Sequence, residues 1–160
     1  VWIKPKGAPK NIQPDPYWLI IGRPGYNSGL ALTHRNTVVF IHYLAGHKKI
    51  ECEYLKPLKP DKWTHIVGVV DRGNGKLNLY NKGVRKKSTK FKARARVDSE
   101  LHDQPLRIGM ADPNARENKC RYRGLIDEVS IYRRALRDQD VVALYCYMLI
   151  RKNYARKSSY

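Results

Sequence analysis

Cysteine is scarce in this chain: Cys52, Cys120 and Cys146 are the three in 160 residues, and no two of them form a C-x-x-C pair. That excludes a disulfide scaffold and a cysteine-based zinc site, and leaves open one disulfide with a free thiol or three reduced thiols. Long apolar runs are missing too. The longest, V-V-A-L-Y-C-Y-M-L-I at 141–150, falls well short of the ~18–20 residues that span a bilayer, and is expected to be a buried terminal helix. Catalytic signatures are absent: His34, His42, His47, His65 and His102 are scattered, with no H-E-x-x-H and no legible Ser-His-Asp set. Acidic residues are few as well. Fourteen Asp and Glu stand against 32 Lys and Arg, a formal charge of +18, which implies attraction to polyanions: nucleic acid, acidic or sulfated polysaccharide, an anionic cell surface, or acidic neighbours in an assembly.

What remains is an ordinary globular composition, 42% hydrophobic, in a chain long enough for one domain with a core of its own. Short β-prone runs follow one another, separated by turn chemistry: 17–22, 29–34, 37–44, 49–55, 63–71, 76–80, 105–110 and 122–132. R-G-N-G at 72–75 is a hairpin signal, and N-K-G at 81–83 marks the next turn. Only the end changes period. From Asp138, apolar residues at Val141, Val142, Leu144 and Tyr145 suit a short helix with Asp138 and Asp140 at its positive end. Such a succession predicts an all-β sandwich at 1–147 and a solvated basic tail at 148–160.

One stretch is unusual. K-F-K-A-R-A-R-V at 90–97 alternates Lys90, Lys92, Arg94 and Arg96 with apolar residues. As a strand it would set the bases in a row roughly 6–7 Å apart on one face. Arg85, Lys86 and Lys87 lie just upstream. Such a row is either a solvated face that discourages edge pairing or a track for a polyanion. Duplex DNA fits a straight row poorly, because its phosphates curve away, so nucleic acid is the weaker partner. Glu51 and Glu53 share one face of a strand among Lys48, Lys49 and Lys56. They read as a salt-bridged surface rather than the paired carboxylates of a glycosidase, and the chain is expected not to be an enzyme.

The ordered set W-T-H-I-V-G-V-V-D-R (63–72), G-K-L-N-L-Y-N-K-G-V (75–84), L-R-I-G (106–109), Y-R-G-L-I-D-E-V-S-I-Y-R-R-A-L (122–136) and a helix with A-L-Y resembles the laminin G-like domains of the concanavalin A-like lectin/glucanase superfamily. The resemblance implies a jelly roll of two antiparallel sheets with a short C-terminal helix, and a first strand upstream of Val1. It implies a non-catalytic module that binds acidic or sulfated glycans within a larger secreted, cell-surface or virion protein. The alternative is a structural block of a large assembly, its basic surface set against acidic neighbours or nucleic acid. It also points to calcium, with Asp127 as a structural ligand and Asp112 and Asn114 as a rim site; the bland reading of that last loop is a set of turn-forming residues.

Overall fold

The computed structural model describes residues 1–7, 17–23, 28–97, 105–110 and 121–157, with side chains to Arg151. Among these residues are ten strands: β1 (Trp2–Pro5), β2 (Trp18–Gly22), β3 (Gly29–Leu32), β4 (Val38–Leu44), β5 (Lys48–Tyr54), β6 (Thr64–Asp71), β7 (Lys76–Asn81), β8 (Val84–Lys90), β9 (Arg107–Ile108) and β10 (Gly124–Asp127). One helix, α1 (Asp138–Lys157), follows them. The strands form two antiparallel sheets, ordered β10-β1-β6-β7-β8 and β5-β4-β3-β2-β9. This is the expected jelly-roll sandwich.

Alternation explains why these segments pair as they do. Val38, Phe40, His42 and Leu44 of β4 are all buried, while Ile41 and Tyr43 between them are half-exposed. In β7, Leu77 and Leu79 turn to the same interior as Ile3, Ile20, Leu30, Cys52 and Ile66. A smaller apolar cluster of Val69, Tyr80, Leu136 and Val141 lies where α1 meets the first sheet. Tyr145 of α1 stacks on Trp2 and His65 with ring centroids 5.8 and 5.7 Å away. Asp138, in the first turn of the helix, accepts a hydrogen bond from the Tyr80 hydroxyl at 2.7 Å and pairs with Arg85 at 2.8 Å.

Three expectations are corrected. The basic stretch 90–97 is not a strand. β8 ends at Lys90 because its partner β7 begins at Lys76, opposite Lys90, and beyond that pair the chain meets the β6–β7 turn instead of a strand. The run 105–110 forms only Arg107–Ile108, and 122–132 only Gly124–Asp127. At the latter end Glu128 takes a positive φ of 51° and donates its N–H to the Asp127 carboxylate, which turns the chain out of the sheet. Finally, α1 is longer and less buried than the sequence implies. It continues to Lys157 through Met148, Leu149 and Ile150 without a glycine or proline to stop it, so most of the segment read as a tail is helical. Only Val141 of the 141–150 run is fully buried, because one side of the helix alone faces the sheet.

Candidate functional site: a basic rim

Three connections meet at one end of the sandwich: the β4–β5 turn (45–47), the β6–β7 turn (72–75) and the crossover from β8 (91–97). Backbone hydrogen bonds tie them together. Phe91 donates to the Gly75 carbonyl at 2.8 Å, Arg94 to Arg72 at 2.7 Å, and Ala45 to Arg96 at 2.9 Å. An isolated bridge joins Val97 to Leu44. The Arg72 guanidinium donates to the Ala95 carbonyl at 3.1 Å, and the Phe91 ring packs inward against His42, 6.0 Å between centroids. The crossover therefore ties the edge of one sheet to that of the other. It holds Lys92, Arg94 and Arg96 exposed on its outer side.

These three join Lys90 and Lys76 at the paired ends of β8 and β7, Arg72 on the hairpin, and Lys48 beside the β4–β5 turn. Asp71 is the only carboxylate between residues 71 and 97. It is already occupied, accepting from the Asn74 side chain at 2.8 Å and the Asn74 N–H at 3.0 Å, and the first of these bonds holds its carboxyl below the usual range. The rim is thus a cluster of exposed cations on a hydrogen-bonded backbone frame.

The remaining predicted cations do not belong to it. Arg85 opposes Tyr80 near the far end of β8 and is committed to Asp138. The register of β8 shifts between Lys87 and Arg85, leaving Lys86 as the extra residue of a bulge. Lys87 opposes Leu79, on the inward side of the strand. The seven bases singled out in the sequence thus fall into two groups, Lys90–Arg96 at the rim and Arg85–Lys87 along an edge. Arg72, Lys76 and Lys48 were missed. The signal was available: once R-G-N-G is a hairpin and Lys76 meets Lys90, whatever follows Lys90 must lie against residues 72–75.

The carboxylates and histidines have other occupations. Glu51 accepts from the Tyr17 hydroxyl at 2.7 Å and pairs with Lys49 at 2.8 Å. Glu53 accepts from the Thr37 hydroxyl. Both are held by neighbours on the face of β5 opposite Cys52, Glu51 by an ion pair and Glu53 by a hydroxyl. His42 is buried, its Nδ1 at 2.7 Å from the Ser28 hydroxyl, and its Nε2 has no partner among the described residues. Burial first, and the Arg72 charge second, lower its pKa. Among the described residues no carboxylate orients that ring as a relay requires. Cys52 is buried and free, and Cys146 is exposed and free.

For a metal, Asp127 offers one carboxylate, with one oxygen already accepting the Glu128 N–H at 2.8 Å. Calcium takes six to eight oxygens, and the described residues include no group of three or more acidic, histidine or cysteine side chains able to hold an ion. Asp112, Asn114, Cys120 and His102 lie outside the described residues.

A laminin G-type family model, described as the concanavalin A-like lectin/glucanases superfamily, matches residues 1–142. The chain belongs to that superfamily. A search of curated proteins finds no match. Among solved structures, the chain resembles a carbohydrate-binding module (CBM40) of the Ruminococcus gnavus IT-sialidase, with TM-score 0.68 and 13% identity over 91% of this chain and 79% of that one. Domain 4 of AbnA, an extracellular arabinanase of Geobacillus stearothermophilus solved with arabinotriose, gives TM-score 0.61 and 22% identity over 90% of this chain and 63% of that one. A candidate carbohydrate-binding protein of Bacteroides ovatus gives TM-score 0.65 and 16% identity over 88% of this chain. The chain spans 38% of the Bacteroides protein's length. At these identities the likeness is one of fold.

Proposed function

We propose that this chain is a non-catalytic binding module that recognises acidic or sulfated glycans through its basic rim, as part of a larger secreted or cell-surface protein. The observation that carries the reading is the convergence of Arg72, Lys76, Lys90, Lys92, Arg94 and Arg96, with Lys48, on three connections locked to one another by backbone hydrogen bonds. A frame of that kind fixes the spacing of the cations before the ligand arrives, which reduces the ordering cost of binding. Arginine forks match sulfate and carboxylate groups in pairs. Similar folds in proteins described as carbohydrate-binding support a sugar over other polyanions, and the engaged carboxylates Glu51 and Glu53 support binding without hydrolysis.

The test is a glycan array at near-physiological salt, run with and without calcium and with nucleic acid as a charge-matched competitor. The reading expects retention on a few acidic glycans, lost when their sulfates or carboxylates are removed. Equal binding to every polyanion of the same charge density would replace it with the assembly reading, in which the rim meets acidic protein neighbours. A requirement for calcium would support Asp127 as a structural ligand.

A further inference from the structure

A second surface lies on the far side of α1. Val141, Leu144, Tyr145, Met148 and Leu149 turn toward the protein, and the intervening residues turn away. Val142, Cys146 and Ile150 follow one another at four-residue spacing, so they make one outward stripe, with Ala143 and Tyr147 alongside. Val142, Tyr147 and Ile150 are 46%, 59% and 55% exposed, and the segment leading into the helix adds Ile131 at 64% and Tyr132 at 43%. Between that segment and the helix runs a groove of about 300 Å³ lined by Tyr132, Leu136, Ala143, Leu144 and Tyr147. Single exposed apolar side chains are ordinary, but several large ones on one helix and the segment leading into it mark a contact surface.

Guanidinium groups flank these residues along the chain. Arg133 and Arg134 follow Tyr132, Arg137 precedes the helix, and Arg151 follows Ile150. The side chains of Arg134, Arg137 and Arg151 are 60%, 77% and 58% exposed. Asp140 is shared by Arg134 at 2.7 Å and Arg137 at 3.6 Å, and Glu128 stands 3.6 Å from Arg151. Among the described residues here, Arg133, Arg134, Arg137 and Arg151 outnumber Asp140 and Glu128, the carboxylates paired with the last three.

We propose that this face seats on an anionic lipid bilayer, with α1 lying along the interface. Ile131, Tyr147 and Ile150 would enter the headgroup–acyl boundary while the arginines contact lipid phosphates. A bilayer supplies both complements in the right order, hydrocarbon beneath a layer of negative charge. A second copy of this chain would instead bring two +18 charges together. Tyrosines suit the boundary because one end of the ring is apolar and the other polar. The helix rests on the membrane rather than entering it, since no described helix is long and apolar enough to cross.

The experiment is co-sedimentation of the full chain with vesicles of phosphatidylcholine alone and of phosphatidylcholine with phosphatidylserine, at physiological salt. Binding to the phosphatidylserine vesicles is expected, with little to phosphatidylcholine. The variant I131S/Y147S/I150S removes three outward side chains and leaves the core alone; its partition should fall roughly 30- to 100-fold. A melting curve matching wild type confirms that it is folded. The rim variant K92S/R94S/R96S should keep most of its vesicle binding, which separates this surface from the glycan site. Equal vesicle binding by wild type and the serine variant would overturn the proposal by reducing it to bulk charge. So would failure of wild type to bind, or a doubled solution mass that the serine variant loses, which would assign the surface to a second copy.

Discussion

Gly75 decides whether the rim can be built. It sits buried in the β6–β7 turn with φ at +60°, and a Cβ there would lie 2.2 Å from the Phe91 carbonyl oxygen and 2.8 Å from the Ala93 nitrogen. Both are backbone atoms of the crossover, which cannot rotate aside as a side chain could. In Gly75→Ala three costs add. The left-handed backbone costs about 1–2 kcal/mol for a residue with a Cβ, overpacking about 1–3 kcal/mol, and a weakened Phe91-to-Gly75 hydrogen bond about 1 kcal/mol. The sum is roughly 3–6 kcal/mol. In a domain of this size each kcal/mol lowers Tm by about 2–4 °C, so Tm should drop by roughly 6 °C or more in a calorimetric scan. Gly46→Ala is the matched control. Gly46 also has a positive φ, +73°, but nothing lies within 4 Å of its Cβ position, so it should lose about 1–2 kcal/mol. Because Gly75→Ala displaces the segment carrying Lys92, Arg94 and Arg96, it should also weaken retention on immobilised heparin, whereas Gly46→Ala should not. Equal Tm losses for the two variants would refute the claim that the crossover packs on Gly75.

Three other outcomes follow from the same geometry. His42 has its pKa lowered mainly by burial; its neutral form is favoured in the fold, so its contribution is intact above the unfolded value near 6.5 and is lost as pH falls below it. Tm should decline from pH 7 to pH 5, and His42→Leu should flatten that decline; an unchanged slope would point to another group. Asp138→Ala removes the acceptor of the Tyr80 hydroxyl and the partner of Arg85 together, and should cost roughly 1–3 kcal/mol in urea unfolding; Arg85→Ala should cost much less, because that pair is exposed. Burial first, and the Asp138 bond second, push the Tyr80 phenol far up its scale, and burial does the same to Tyr122. Alkaline absorbance titration should therefore show at least two tyrosines ionising only as the protein unfolds.

Strand placement was legible wherever both sides of a residue pair had a reason to face where they do. β4 and β7 came within a residue or so of their bounds, because a slip of one position would turn Phe40 or Leu77 out of the core between the sheets. Residues 90–97 alternate basic and apolar residues throughout and still do not form a strand. Periodicity reports what a segment could bury, not whether a partner strand exists to pair with it, and β7 runs out at Lys76. The site was half legible for the same reason. Lys92, Arg94 and Arg96 are functional candidates in both readings, but their neighbours Arg72, Lys76 and Lys48 come from distant sequence and become visible only through the hairpin register. The length of α1 was hidden differently. Its outward stripe is as apolar as its inward one, so no amphipathic edge marks where packing stops and surface begins.

The most direct test of the rim as the binding site compares two variants of equal charge. K92S/R94S/R96S neutralises the crossover; K59S/K62S/K82S removes three exposed lysines from the loops at the opposite end of the sandwich. Affinity for a defined sulfated oligosaccharide would be measured for both by titration calorimetry across a salt series. The account predicts that the rim variant binds roughly tenfold or more weakly, from about 0.5–1 kcal/mol per lost ion pair, with a shallower salt dependence, while the distal variant stays within about twofold of wild type. Equal losses in the two variants would show that only total charge matters and would contradict it.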